Sequence, residues 1–153
     1  MNGGRELVES LLPHREGMLL VDAITGFRPG VRAVLTASLT VTGDESCLRG
    51  HFPGRPIWPG VLLIEGLAQC AGLVIHMAAG HAGGEVDARG GGQLGVLAGA
   101  NVKFLQVVEP PAVIEYQVRL VGVFGGLYRV DGEAAVAGRA VADGSVSIAL
   151  ALS

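Results

Sequence analysis

Apolar residues along the chain fall into blocks whose spacing and flanking turn residues separate one long helix from a series of strands. Residues 6–12, Glu-Leu-Val-Glu-Ser-Leu-Leu, read as a short amphipathic helix or turn stopped by Pro13. The 18–27 block reads as a strand, and Pro29-Gly30 makes a turn into a second strand over 31–41, so the two predict a hairpin. Residues 43–59 form a loop whose prolines, Pro53, Pro56 and Pro59, exclude a regular helix or a central strand and stiffen whatever side chain the loop carries. From 60 to about 79 the pattern becomes helical, with Pro59 near the first turn and Gly80 past the end. Val61, Leu62, Leu63, Ile64, Leu67, Leu73, Val74 and Ile75 interleave there with small residues, which predicts a helix buried on every side. A Gly-rich polar stretch over 81–92 is the expected mobile loop. Four β-branched-rich runs follow, 94–105, 112–124, 127–136 and 139–152, divided by Pro110-Pro111, Gly125-Gly126 and Ala137-Gly138.

One long helix and about six strands predict an α+β fold in which a curved antiparallel sheet wraps around the central helix. Nothing marks a repeat or linker, so residues 1–153 read as one domain. Composition adds a demand for burial. Half of the residues are hydrophobic (50%), only 16% are charged where about 25% is usual, and mean hydropathy is +0.49. Such a surplus points to a subunit interface, an apolar ligand tunnel or a membrane. The best candidate span, 61–79, is interrupted by Glu65, Gln69 and His76, which argues against a membrane. The start of the chain lacks a signal-peptide pattern, so the expected compartment is the cytoplasm. With a net charge of −3 and no basic run, nucleic acid is not an expected partner. Cys47 and Cys70 read as free thiols, and no His or Cys spacing makes a zinc site.

Chemistry concentrates at one place. His51 stands in the proline-stiffened loop, fourteen residues ahead of Glu65, a carboxyl within the most apolar helix of the chain. Glutamate is rarely buried without a partner, and burial alone is expected to raise the pKa of Glu65 so that it can donate a proton, while histidine titrates where it can take one. Gln69, one turn after Glu65, is placed to hydrogen-bond that carboxyl or an attached water, or to serve as a polar residue at a subunit contact. The free N–H groups at Gly60 and Val61, with the positive end of the helix dipole, suit a carbonyl oxygen that gains charge.

These residues belong to a longer motif: His51-Phe52-Pro53-Gly54, Pro56, Pro59-Gly60-Val61-Leu62, Ile64-Glu65 and Ala68-Gln69. It closely resembles the signature of 3-hydroxyacyl-[acyl-carrier-protein] dehydratases of the FabZ type. Leu11-Leu12-Pro13-His14-Arg15 with Met18-Leu19-Leu20-Val21-Asp22, and Lys103-Phe104, resemble further motifs of the same family. The resemblance implies a hotdog fold working as a dimer or an oligomer of dimers, with His51 of one subunit facing Glu65 of the other. It implies a hydro-lyase: His51 removes the C2 proton of a (3R)-hydroxyacyl thioester, Glu65 helps the C3 hydroxyl leave, and the Gly60 N–H holds the thioester oxygen. The implied partner is an acyl carrier protein with its phosphopantetheine-bound substrate, and no metal or redox cofactor is required. Val61, Gln69, Phe52 and Trp58 are the expected substrate-side residues, and His14 is expected to be a structural or entrance residue with no assigned part in the chemistry.

Three departures from the family pattern stand out. Leu105-Gln106 and Glu109-Pro110-Pro111-Ala112 replace the usual basic residues and Pro-Gly-Asp, Gly95-Val96 replace tyrosines, and Trp58 replaces a smaller apolar residue. Trp58 reads either as core filler or as a wall of the acyl pocket. Together the departures point to a specialised member, serving a polyketide or polyene pathway or pairing with a related subunit. An acyl thioesterase of the same fold is the competing enzyme class.

Overall fold

The computed structural model describes residues 2–81 and 93–152. Its elements are α1 (Arg5–Leu11), β1 (Ala23–Arg28), β2 (Val34–Val41), α2 (Gly60–His81), β3 (Gln93–Phe104), β4 (Ala112–Phe124), β5 (Leu127–Val136) and β6 (Arg139–Leu152), with 3-10 turns at Glu16–Met18 and Ser46–Gly50. The six strands form one antiparallel sheet in the order β1-β2-β4-β5-β6-β3. The bounds of β4, β5 and β6 are those the sequence predicts, because each is closed by unambiguous turn chemistry. Gly125-Gly126 and Ala137-Gly138 all take positive φ, the geometry that two-residue hairpins need. All of the predicted 81–92 loop except His81, the last residue of α2, lies outside the described residues.

Around α2 the sheet supplies the core: Ile114, Tyr116, Val118, Val130, Ala134 and Ile148 are all at most 3% exposed, as are Leu67, Leu73 and Val74 of the helix. By length and mean hydropathy (1.7) α2 could cross a membrane, yet half of it is buried against this sheet. The expectation of burial on every side does not hold. Val61 is 71% exposed, and Glu65, Gly72 and His76 are only partly covered, so one stripe of the helix is left open by its own sheet. Helical spacing at 61, 65, 68, 72 and 76 puts these residues on that single face.

The first predicted strand also begins later than expected, at Ala23 instead of 18. Leu19, Leu20 and Val21 are buried as a strand would bury them, but the Gln69 side chain takes the ladder partner's place: it accepts from the Leu20 N–H (2.8 Å) and donates to the Met18 C=O (2.6 Å). The second strand starts at Val34 because residues 29–32 form the turn and Val31 is almost wholly exposed.

Gly66 sets how closely α2 approaches β4. A Cβ there would overlap the phenol of Tyr116, which is fully buried with a hydroxyl that has no partner among the described residues. Gly66→Ala is therefore expected to destabilise the fold by about 1–3 kcal/mol, and adding Tyr116→Phe should recover part of that loss by removing the overlapping oxygen. Chemical denaturation of the two single variants and the double variant measures the coupling; additive effects would refute the contact.

Candidate active site

The loop ahead of α2 is held by its own backbone. The His51 N–H donates to Leu48 C=O (3.2 Å), Phe52 and Arg55 exchange bonds (3.1 and 2.9 Å), and the Ile57 N–H returns to His51 C=O (3.1 Å). Trp58 N–H reaches Val108 C=O (2.8 Å), and Arg55 pairs with Glu109 (3.0 Å), so the departure at Glu109 serves to tie this loop to the β3–β4 connection. That exposed pair adds little stability, and the backbone bonds do most of the positioning. His51 is oriented within the loop by a 2.9 Å bond between Nδ1 and Ile57 C=O. A carbonyl only accepts, so Nδ1 carries the hydrogen and Nε2 presents a lone pair. Phe52, 54% exposed, stacks on the imidazole at 4.4 Å and 27°.

Glu65 is fixed from two sides. Gln69, only 2% exposed, donates to Glu65 Oε1 (3.0 Å) while its other bonds hold Met18 and Leu20. His14 Nε2 lies 3.4 Å from the same oxygen, at the long end of hydrogen-bond range. Arg15 steadies this stretch by donating to the carbonyls of Glu9, Leu12 and His14, closing the end of α1. The His14 ring first, and then the Gln69 amide, hold the Glu65 carboxyl below its ordinary range, against burial, which pushes it up. This reverses the expected direction: the carboxyl is only half-buried and has two polar neighbours that favour its charged form. His14, expected as a structural or entrance residue, stands beside this carboxyl and supports it. The signal for it was present in the Leu12-Pro13-His14-Arg15 motif.

His14→Ala is expected to raise the Glu65 titration midpoint, which carbon NMR of the carboxyl can follow; a midpoint that stays or falls would remove His14 from this role. Stability shifts with it. A carboxyl depressed in the fold contributes stability that is present above its unfolded value and lost as pH falls through its folded value, so the variant should lose less stability on acidification.

Glu65, Gln69 and His14 line a cleft of about 50 Å³ together with Leu11, Leu12 and Pro13; His51 does not line it. Within one chain the structure thus gathers the carboxyl and its supports and leaves the loop histidine apart. At the start of α2 the first bonds run from the Leu62 and Leu63 N–H groups to Pro59 C=O, leaving the N–H groups of Gly60 and Val61 without a backbone acceptor among the described residues. Trp58, 4% exposed with a buried indole N–H lacking a partner among the described residues, sits in the core and supports the packing side of its two readings.

The FabA-like domain profile matches residues 12–146. A 3-hydroxyacyl-[acyl-carrier-protein] dehydratase FabZ of Syntrophotalea carbinolica is 37% identical over 145 residues, covering 94% of this chain and 92% of that protein. The chain belongs to the FabA-like family, among the FabZ-type dehydratases. Another FabZ relative, from Legionella pneumophila, is 39% identical over 126 residues, covering 82% of this chain and 79% of its own length. Solved structures place the FabZ-type chain in the hotdog fold. The dehydratase heterocomplex ApeI:P from Xenorhabdus doucetiae superposes with a TM-score of 0.73 at 20% identity, covering 94% of this chain and 90% of that one. A hypothetical thioesterase with coenzyme A from Streptococcus pneumoniae gives 0.60 at 17% identity, covering 94% and 91%. At such identities the two structures speak for the fold alone.

Proposed function

We propose that the chain dehydrates (3R)-3-hydroxyacyl thioesters held on an acyl carrier protein to trans-2-enoyl thioesters, in fatty-acid or polyketide synthesis, as a dimer in the cytoplasm. The observation that carries this reading is the pairing of a histidine whose Nε2 is free to accept a proton with a carboxyl oriented by two polar neighbours, inside the family's motif. In the elimination, His51 Nε2 takes the C2 proton, the C2–C3 double bond forms as the C3–O bond breaks, and the hydroxyl leaves as water with a proton from Glu65. His14 and Gln69 favour the charged form of Glu65 in the free chain, so the proton it gives is first taken up from solvent as substrate binds. Substrate and a partner subunit covering it would strip water away, and burial is the influence that pushes this carboxyl up toward holding the proton it gives. The N–H groups of Gly60 and Val61, at the positive end of α2, receive the thioester oxygen as charge moves onto it.

Dimerisation is supported by what a single chain leaves open. β3 is an edge strand with residues 95–100 exposed, Phe104, Leu105 and Val107 are more than half exposed, and Val61 stands out from the helix. A second copy covering this surface would bring its His51 to the cleft that holds Glu65. For the carrier, Arg49 is a candidate contact, since it is exposed two residues before His51 and has no acidic partner among the described residues.

The test is incubation with 3-hydroxyacyl carrier proteins of several chain lengths, followed by intact mass. Loss of 18 mass units, about one water, supports the reading. Release of free acid would replace it with thioester hydrolysis, and turnover only with an added homologue would make the chain one half of a heteromeric enzyme.

A further inference from the structure

Two turns close at one end of the sheet. Arg28 pairs with Val34 across the β1–β2 turn, Val34 pairs with Arg119, and β4 then runs on to Phe124, which pairs with Leu127 across Gly125-Gly126. The same end is remote from the start of α2, because Leu127 is in line with Val96, ~25 Å along β3 from the Phe104 ring that packs on Gly60. Apolar side chains stand out at both turns. Val31 is almost wholly exposed, and Val123, Phe124 and Leu127 are exposed at the β4–β5 tip. Phe124 does not swing free: a Cβ on Gly122 would lie 3.2 Å from its ring, so the ring fills the space that a side chain at 122 would take.

Behind these tips stand arginines. Val118 and Val130 point into the core, so their neighbours Arg119 and Arg129 face outward, where they line one groove with Arg28. Arg32 is exposed in the β1–β2 turn. Asp131 lies 3.6 Å from Arg119 and 3.9 Å from Arg129, whereas Arg28 and Arg32 have no acidic partner among the described residues. Glu133 and Asp143, with Lys103 across from Asp143, lie one row further from the turns. Four arginines against one aspartate thus leave this end positive among the described residues of a chain whose net charge is −3.

Apolar tips backed by arginines match a layer that is anionic at its face and apolar beneath it. We propose that this end of the sheet docks on an anionic lipid bilayer, the β4–β5 tip entering the headgroup boundary and the arginines lying against the phosphates. The apolar residues occupy the outermost points of two separate turns, where a flat layer meets them first. Arg129 stands two residues, or ~7 Å, behind Leu127, within the ~5–10 Å that interfacial segments enter. The docking does not require the dehydratase reading, and it leaves the exposed β3 edge free for a second copy.

Vesicles test it: the whole protein is floated with pure phosphatidylcholine and with phosphatidylcholine containing about one third phosphatidylglycerol. Binding to the anionic vesicles should be stronger on the order of a hundredfold at about 0.1 M salt and should vanish near 1 M. Phe124→Ser should weaken it roughly tenfold, and Arg28→Gln with Arg129→Gln roughly thirtyfold, while both proteins unfold at the wild-type denaturant midpoint because these side chains lie outside the core. Absence of binding, equal binding to both vesicles, or binding that neither variant weakens overturns the inference. So does a Phe124→Ser protein that fails only to bind an acidic carrier protein, or one whose particle mass falls in sedimentation, since the tip would then contact a protein or another copy.

Discussion

Mixing two inactive variants, His51→Ala and Glu65→Gln, is expected to restore about a quarter of wild-type dehydration. Each variant alone should lose roughly 10²- to 10⁴-fold in kcat/KM, because each lacks one of the two proposed proton-transfer groups. When dimers reassort, about half are mixed, and a mixed dimer with sites built across the interface has one intact His51 and Glu65 combination out of two. Were both residues to act within one chain, every site in the mixture would stay damaged and activity would not return. The rationale is geometric: Glu65 lines a cleft that His51 does not line, while the loop bearing His51 is held by its own backbone bonds and engages the ring through Nδ1, leaving Nε2 unused. Measuring activity before and after exchange of subunits decides between the two arrangements.

Val96→Lys is expected to convert the protein to monomers and to remove dehydration along with the dimer. Val96 is 47% exposed on β3, at the edge of the sheet, where an apolar strand with unsatisfied N–H and C=O groups invites pairing with another strand. Placing a charge there keeps the monomer's core intact, since this side chain contributes little to it, and opposes edge-to-edge association. Sedimentation and turnover measured on the same samples check it. A dimer that persists, or a monomer with full activity, would refute the role assigned to this edge.

Much of the fold was legible because its signals were local. The turns at Gly125-Gly126 and Ala137-Gly138 delimit three strands by backbone chemistry alone, and the Pro59-to-Gly80 interval brackets the helix to within two residues. The errors arose where a distant group decided the outcome. Leu19, Leu20 and Val21 have strand composition, but the Gln69 amide, which no local pattern could place beside them, occupies their hydrogen bonds. The direction of the Glu65 shift failed for the same reason: its apolar helix was visible in the sequence, whereas His14 comes from a segment remote in sequence. His51 and Glu65 were readable as a pair from residue type and motif, and the resemblance set them on different subunits, in keeping with a cleft that Glu65 lines and His51 does not.

The side chain of Gln69 uses both amide hydrogens and its oxygen, and two of these bonds reach backbone 49 and 51 residues away. Only one orientation of the amide serves all three partners, since flipping it would set oxygen against oxygen at Met18 and at Glu65. Contacts between such remote segments close late relative to local turns, because the loop between them must be ordered first. The Gln69 support of Glu65 is therefore complete only when the beginning of the chain has docked onto the helix, and the proton transfer proposed for this carboxyl depends on a finished tertiary structure.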